Sequence, residues 1–276
     1  MKKESHHSSL KEEPKQSDPL LEYMNSHREI TQEQINEAPL LILDEESNGA
    51  IFSQKQIKIN AAGLIGGRNA KDGVAIFGIE DPDNTNKQAF KADFNVKYPG
   101  SFKTPYVFAI YYQSDTKKYF IRAYCGKGSD NKILFIKLSG NVNLPLKQKE
   151  IISAGNLLFE VTPIEDGCLQ IVNLSKKDRK EENKKLFDPT KVQEVTIGRG
   201  ADCNFSFVKD KSFSRIQTTF CYDENTKEWT IIDGSKTKSS TNGTWVFGTH
   251  SFEIKDQMIA EILTSKVKFT FVKNDQ

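Results

Sequence analysis

The feature that most constrains the fold is a succession of short segments rich in β-branched and aromatic residues. Gly, Asn, Asp and Lys separate the segments, many of which alternate polar with apolar side chains as half-buried strands do. No long stretch shows a helical period. Short strands at regular spacing are typical of sandwiches and barrels, so the sequence predicts an all-β protein. The predicted strands are 40–43, 56–59, 74–77, 107–112, 119–124, 133–136, 157–162, 169–174, 194–197, 229–232 and 266–272.

Composition narrows the cellular setting. Hydrophobic residues make up 37% of the 276 residues and charged residues 28%, which suits a soluble globular protein. The net charge of +2 does not favour direct nucleic-acid binding. No apolar run reaches the roughly 18 residues that a membrane span needs, and the start is too polar for a signal peptide. We therefore expect an intracellular protein (cytoplasm, cytoskeleton or nucleus), neither secreted nor bound to a membrane.

Catalytic and metal-binding patterns are missing from the sequence. The cysteines form no C-x-x-C pair, histidine is rare, and no phosphate-binding P-loop or kinase signature occurs. A nucleophile without a neighbouring base is a poor basis for acyl transfer. The sequence thus predicts a protein that is not an enzyme and uses no metal or cofactor. The residues considered were Cys125, Cys168, Cys203, Cys221, His6, His7, His27 and His250.

Composition also predicts the domain organisation. Residues 1–38 are too polar to bury a core, so we expect a disordered tail. Within it, a short helix is predicted from Thr31 to Ala38, capped by Thr31 and ended by Pro39. A tight linker lies between the predicted strands that end near 162 and begin at 169. Two domains are therefore predicted, at residues 39–164 and 165–276.

Three motifs in the second predicted domain carry the functional information. They are Ile197-Gly198-Arg199, Ser214-Arg215-Ile216-Gln217 and Ser240-Thr241-Asn242-Gly243-Thr244-Trp245. Each is weak alone, but their order and spacing within an all-β pattern closely resemble the forkhead-associated (FHA) family. The resemblance implies a Greek-key β-sandwich that binds a phosphothreonine peptide.

The residue types suit that chemistry by themselves. The fork of Arg199 can hold a phosphate dianion through charge-assisted bonds. Ser214 and Thr241 offer hydroxyl groups, and Asn242 offers both a donor and an acceptor to a peptide main chain. Gly243 permits the positive φ of a turn. The alternative is an FHA-like domain that binds no phosphate, in which these are ordinary turn residues.

The resemblance also implies a role for each position. Arg199, Ser214 and Thr241 contact the phosphate or its surroundings, Arg215 lies against the peptide, and Asn242 holds the peptide backbone. The family usually has histidine where Gln217 stands, bracing the binding loops, so we expect a weaker brace here. The list of predicted site residues is Arg199, Ser214, Arg215, Thr241 and Asn242, supported by Gly198, Gln217 and Gly243.

The first predicted domain resembles a degenerate copy of the second. Residues 115–121 match residues 225–231, which lie 110 positions later. Ile65-Gly66-Gly67-Arg68 resembles the Gly-Arg motif with one extra glycine, and residues 129–132 stand near the place of residues 240–243. Asp130 and Pro105 are unsuited to phosphate binding. We expect an FHA-like sandwich without a working pocket, which packs on the second domain or docks another protein.

The sequence therefore predicts a phosphothreonine-binding adaptor or scaffold. The alternative is a structural subunit of a large assembly, such as a cytoskeletal or ciliary complex, with a vestigial phosphate site. Its partners would be phosphothreonine-containing proteins. Phosphorylated Thr31 is a further candidate ligand, which would allow self-association, whereas the simpler interpretation of Thr31 is a helix cap.

Overall fold

The computed structural model describes residues 30–46, 51–52, 54–65, 73–78, 92–97, 106–123, 133–138, 144–175, 183–248 and 250–273. These residues form almost entirely strands, with one short helix, α1 (Gln32–Glu37). No helix among them is both long and apolar enough to cross a membrane. The strands are β1 (Leu40–Glu45), β2 (Gln56–Asn60), β3 (Gly63–Leu64), β4 (Val74–Gly78), β5 (Phe94–Asn95), β6 (Tyr106–Gln113), β7 (Lys118–Ala123), β8 (Leu134–Lys137), β9 (Leu144–Leu146), β10 (Glu150–Ala154), β11 (Leu157–Pro163), β12 (Leu169–Asn173), β13 (Lys184–Phe187), β14 (Glu194–Gly198), β15 (Phe205–Ser206), β16 (Thr218–Asp223), β17 (Glu228–Asp233), β18 (Thr244–Phe247), β19 (Phe252–Glu253), β20 (Ile259–Ile262) and β21 (Ser265–Val272).

The strands build three sheets. The largest has eleven strands in the order β13-β12-β11-β10-β18-β8-β20-β21-β1-β2-β3. Two sheets of five strands have the orders β15-β14-β16-β17-β9 and β19-β7-β6-β4-β5. Pairing is antiparallel except between β4 and β5 and between β14 and β15. The predicted all-β class is confirmed.

Each five-stranded sheet packs on one half of the large sheet. Phe205 of β15 meets Phe159 of β11 with ring centroids 6.0 Å apart. On the other half, Tyr119 of β7 lies 5.8 Å from Phe271 of β21. Inward-facing side chains alternate with outward-facing ones along these strands, as in other sandwiches. The molecule thus contains two sandwiches that share one continuous sheet.

The two halves of the large sheet follow the same pattern outward from its centre. At the centre β18 pairs with β8, with Val246 opposite Ile136. Outward from this pair run β10, β11, β12 and β13 on one side and β20, β21, β1 and β2 on the other. We name the half with β9–β18 the second sandwich and the half with β1–β8 and β19–β21 the first sandwich.

This pairing corrects the predicted assignment of strands to domains. Strands β9–β11 precede the predicted boundary at 164 and 165 but pair within the second sandwich. Strands β19–β21 follow that boundary but pair within the first sandwich. The boundary itself falls in the short turn between the paired strands β11 and β12. Each sandwich therefore takes strands from both predicted domains.

The N-terminal segment was predicted in part. Thr31 caps α1 in a capping box with Gln34, and Ala38 is its C-cap, which confirms the predicted helix. Ile30 and Ile35 pack against the core, and Ala38 is only 3% exposed. The prediction of disorder through residue 38 is therefore wrong for residues 30–38, while residues 1–29 lie outside the described residues.

Strand pairing also corrects the predicted motif of the first copy. Strands β4 and β14 are equivalent, because each pairs antiparallel with a long strand and parallel with a two-residue strand. Phe77 and Gly78 thus correspond to Ile197 and Gly198 of β14. The predicted equivalent, Ile65 to Arg68, follows β3 instead, and its residues 66–68 lie outside the described residues.

Candidate functional site

A cleft at the loop end of the second sandwich gathers most of the predicted site. It has a volume of about 430 Å³. The loops that form it follow β14, precede β16 and precede β18, so the sandwich fixes their separation. The lining residues are Arg199, Lys211, Phe213, Ser214, Thr241 and Asn242.

Arg199 is positioned by its backbone and leaves its side chain free. It directly follows β14, and its N–H donates to the carbonyl of Ser214 at 2.9 Å. Its exposed guanidinium forms no hydrogen bond or ion pair with any described residue. The preceding residue, Gly198, lets the loop with Arg215 lie close to the end of β14, since a Cβ at Gly198 would lie 2.3 Å from the carbonyl oxygen of Arg215. Arg199 is therefore a preorganised cation with an unused fork.

Two hydroxyl groups meet beside this cation. The Thr241 N–H donates to Ser214 Oγ at 2.8 Å, and Ser214 Oγ in turn lies 3.3 Å from Thr241 Oγ1. Both residues belong to loops that are distant in sequence, so the fold alone brings them together. The arrangement offers hydroxyl donors to an anion in the cleft.

Asn242 lies at the same rim. Its Nδ2 donates to the carbonyl of Ser212 at 2.8 Å, and its own carbonyl accepts from Trp245 Nε1 at 3.1 Å. The next residue, Gly243, has a φ of +79°, which favours glycine. The side-chain amide of Asn242 is therefore held at the edge of the cleft. There, a carbonyl of an extended peptide could replace the Ser212 carbonyl as the acceptor of its hydrogen bond.

Gln217 braces these loops with all of its amide groups. Its Nε2 donates to Ser240 Oγ at 2.8 Å and to the Gly243 carbonyl at 2.7 Å. Its Oε1 accepts from the Ser214 N–H at 3.0 Å. Gln217 is fully buried, so these bonds are shielded from water. The sequence predicted a brace weaker than the usual histidine, and the structure shows that the glutamine joins both binding loops through three hydrogen bonds.

The brace continues into the sheet. Ser240 Oγ donates to Asp233 Oδ1 at 2.6 Å and accepts from the Gly243 N–H at 2.9 Å. Below it, Thr244 Oγ1 donates to the Gln217 carbonyl at 2.8 Å. A connected network of buried polar groups holds the loop conformation in place.

The cleft is lined by two residues that were not predicted, Lys211 and Phe213, and is not lined by the predicted Arg215. Lys211 lines the cleft, and its exposed ammonium has no described partner. Phe213 is 2% exposed and stacks on Phe207 at 4.8 Å, forming an apolar wall. Arg215 is exposed beside the cleft without lining it. Neither new residue lies in one of the three motifs that predicted the site.

The electrostatic character of the cleft is positive. Its lining includes two cations and no acidic side chain among the described residues. Asp210 lies in the same loop, but hydrogen bonds from the hydroxyl and the N–H of Ser212 lower the pKa of its carboxyl and occupy it. No cluster of metal-ligating side chains occurs in the described ranges. The cleft therefore suits an anion.

The predicted site residues of the first copy cannot be compared directly. Arg68, Pro105 and Asp130 lie outside the described residues. At the position equivalent to Arg199, the residue after Gly78 in the sequence is Ile79, which cannot bind a phosphate by charge.

Comparison with known proteins finds a family match for part of the chain. The model of the FHA domain family matches residues 195–259, which include every residue of the cleft. FHA domains are phosphopeptide-binding modules of protein interaction, and the β-sandwich agrees with that fold. No curated protein and no solved structure shows significant similarity to this chain.

Proposed function

We propose that the second sandwich binds phosphothreonine in partner proteins and that the chain acts as an adaptor or scaffold. The observation that carries the proposal is the unpartnered guanidinium of Arg199 beside the hydroxyl groups of Ser214 and Thr241 in an acid-free cleft. A phosphate dianion accepts hydrogen bonds from such groups without any rearrangement of the braced loops.

The phosphate would sit between the two binding loops. Arg199 would donate a bidentate pair of hydrogen bonds, and Ser214 and Thr241 would donate through their hydroxyls. Lys211 supplies a second positive charge at the same cleft, which favours phosphate over a singly charged carboxylate. Together, the charge-assisted bonds of Arg199 contribute about 1.5–3 kcal/mol to binding.

The peptide around the phosphothreonine would run across the rim. Asn242 would clamp its main chain after releasing the Ser212 carbonyl. Arg215, exposed next to the cleft, would contact the peptide outside the phosphate. The preference for threonine over serine follows from the family resemblance, in which a small pocket receives the threonine methyl group.

The wider role follows from this chemistry. The site has the groups for binding and lacks a paired base and nucleophile in its lining, so we propose a non-enzymatic, intracellular role. Partners would be recognised after a threonine kinase has modified them.

Self-association through Thr31 is a separate proposal with a structural cost. Thr31 Oγ1 accepts from the Gln34 N–H at 3.2 Å, and the Thr31 N–H donates to Gln34 Oε1 at 2.9 Å. A phosphate on Thr31 could enter the cleft of another copy only if this capping box opened. Sedimentation of protein phosphorylated at Thr31 tests the idea: a monomer that still binds free phosphopeptide would eliminate it.

A peptide library tests the main proposal. The full chain is passed over immobilised peptides with degenerate flanks around phosphothreonine, phosphoserine or threonine. We expect retention on phosphothreonine alone, and its loss in Arg199→Ala. Equal retention on unmodified threonine, or none on phosphothreonine, would favour a structural subunit with a vestigial site.

A further inference from the structure

A second groove lies on the outer face of the shared sheet. It has a volume of about 440 Å³, similar to that of the phosphate cleft. Trp245 and Phe135 belong to the paired central strands β18 and β8 and lie on the same side of the sheet. Both rings are half-buried. The groove is lined by Phe135, Ser153, Gly155, Asn156, Leu158, Trp245 and Glu261.

The groove and the phosphate cleft share walls. On one side, Gly155 lines the groove, and a Cβ there would lie 2.8 Å from the ring of Phe213, which lines the cleft. On the other side, Trp245 of the groove donates to the carbonyl of Asn242 of the cleft at 3.1 Å. Because these contacts are direct, a bound peptide that extends out of the cleft on this side would enter the groove next.

The groove combines both sandwiches. Phe135 and Glu261 come from β8 and β20 of the first sandwich, and the other lining residues from the second. Lys137 of β8 reaches towards the cleft loop, since a Cβ at Gly243 would lie 2.5 Å from its Cε. The first sandwich therefore lies beside the phosphate cleft.

The chemistry of the groove suits an apolar side chain. Two aromatic rings and Leu158 provide half-buried apolar surface. The ammonium groups of Lys137 and Lys266 each lie 5.8 Å from the centre of the Trp245 ring. Glu261 stands opposite Lys266 in the strand register, so opposite charges adjoin at the rim. The aromatic floor thus offers area for stacking, with two ammonium groups and one carboxylate around it.

We propose that this groove is a second subsite for the phosphothreonine ligand, in which an apolar side chain that flanks the phosphothreonine packs on Trp245 and Phe135. The inference rests on the proposed function. It gives the first sandwich a role, which is to complete the peptide-binding surface of its neighbour.

The test uses the full chain and phosphothreonine peptides with degenerate flanks. Wild type should enrich an apolar residue at one flanking position. Phe135→Ser should lose that enrichment and keep its dependence on phosphate, because Phe135 does not line the phosphate cleft. Leu186→Ser is the matched control: Leu186 lies on the same sheet at its far edge and is 57% exposed.

A selected peptide then gives the magnitude. Phe135→Ser should weaken its binding about five-fold, the equivalent of removing about 40 Å² of apolar contact. Replacing the apolar peptide residue by serine should weaken wild type equally and Phe135→Ser no further. No flanking selection, or a Phe135→Ser variant that selects as wild type does, would overturn the subsite alone. Loss of all phosphate-dependent binding in wild type would overturn the proposed function as well.

A measurement on the unaltered protein guards against misfolding of the variant. Of the two tryptophans, Trp229 is 1% exposed, so acrylamide quenching reports mainly on the half-buried Trp245. The selected phosphopeptide should protect the fluorescence, while free phosphothreonine should not. Equal quenching with and without the peptide would contradict the proposal.

Discussion

The two sandwiches have the same order of strands but differ at the loop end. In the second, Gly198 leads into an arginine, and buried Gln217 ties the loops together. In the first, the equivalent Gly78 leads into Ile79. A shared fold does not by itself imply a shared function, since the proposed phosphate site depends on a few loop residues. The first sandwich instead contributes to the surface beside that site.

The largest expected effect concerns the strands that each sandwich takes from across the predicted boundary. Val161 of β11 and Phe269 of β21 occupy equivalent, fully buried positions. An unpaired buried charge destabilises by about 3–5 kcal/mol. Val161→Asp should unfold the second sandwich and abolish phosphopeptide binding. Phe269→Asp should unfold the first and leave phosphate-dependent binding in place.

This matched pair reports on the strand exchange directly. If β19–β21 completed the second sandwich instead, Phe269→Asp would abolish binding and Val161→Asp would spare it. Thermal unfolding followed by circular dichroism, together with peptide binding, separates the two cases. The same pair tests whether the domains predicted at residues 39–164 and 165–276 are the units that unfold.

The next effect concerns the glycine before the arginine. Gly198→Val would drive a side chain into the Arg215 carbonyl, 2.3 Å from the Cβ position. We expect binding to weaken more than a hundred-fold as the loop moves. Gly78→Val makes the same change in the first sandwich and should leave affinity for a phosphothreonine peptide unchanged, as measured by titration. Equal losses in both variants would mean that the two loops are not functionally distinct.

A smaller effect is expected at the brace. Gln217→Leu removes three hydrogen bonds, each worth about 1 kcal/mol, and leaves the Ser214 N–H and the Gly243 carbonyl unpaired. Gln217→His can restore two of the three at most, because an imidazole has only two nitrogens. Urea unfolding should rank wild type above His and His above Leu. A histidine variant that binds more tightly than wild type would instead support the predicted weaker brace.

The smallest effect concerns a buried acid found in only one sandwich. Glu150 of β10 is 3% exposed, and burial raises the pKa of its carboxyl to about 7, although a hydrogen bond from Gln148 opposes the shift. The position equivalent to it in the first sandwich is Met258. His250 Nδ1 lies 3.3 Å from the carboxylate, and burial lowers the pKa of that imidazole.

The sign of the pH dependence follows from the raised pKa. The folded state holds the Glu150 proton more tightly than the unfolded state, so this stabilisation is complete below about pH 4 and is lost as the pH rises through 7. Between about pH 4.5 and 7, the free energy of unfolding of wild type should fall by about 1 kcal/mol per pH unit relative to Glu150→Gln, and above pH 7 the two profiles should run parallel. Parallel profiles below pH 7 as well would contradict a buried neutral acid.

Local pattern was enough to predict eleven of the 21 described strands. All eleven predicted strands occur within two residues of their predicted bounds. Strands such as β16 and β13 were missed because threonines or lysines obscure their alternation. The partners of β9–β11 and β19–β21 could not be predicted. Equivalent strands carry equivalent patterns, so either set fits either sandwich by local criteria.

Site residues that belong to a motif were predicted, whereas residues that reach the cleft only through the path of a loop were not. Arg199, Ser214, Thr241 and Asn242 meet in one cleft as the motifs indicated. Lys211 lies in no motif, and its place depends on the path of the 207–213 loop. The three hydrogen bonds of Gln217 could not be predicted either, since sequence does not show that its partners surround it.

The central claim is tested most directly by titrating the full chain with one selected peptide in its phosphothreonine and unmodified forms. Arg199→Ala should weaken binding of the phosphothreonine form about ten- to a hundred-fold, from the loss of charge-assisted bonds of about 1.5–3 kcal/mol. Its fold should persist, because this arginine is exposed. Arg68→Ala should bind as wild type does, and the unmodified peptide should not bind. Equal binding of both peptide forms, or a greater loss in Arg68→Ala than in Arg199→Ala, would contradict a phosphothreonine site in the second sandwich.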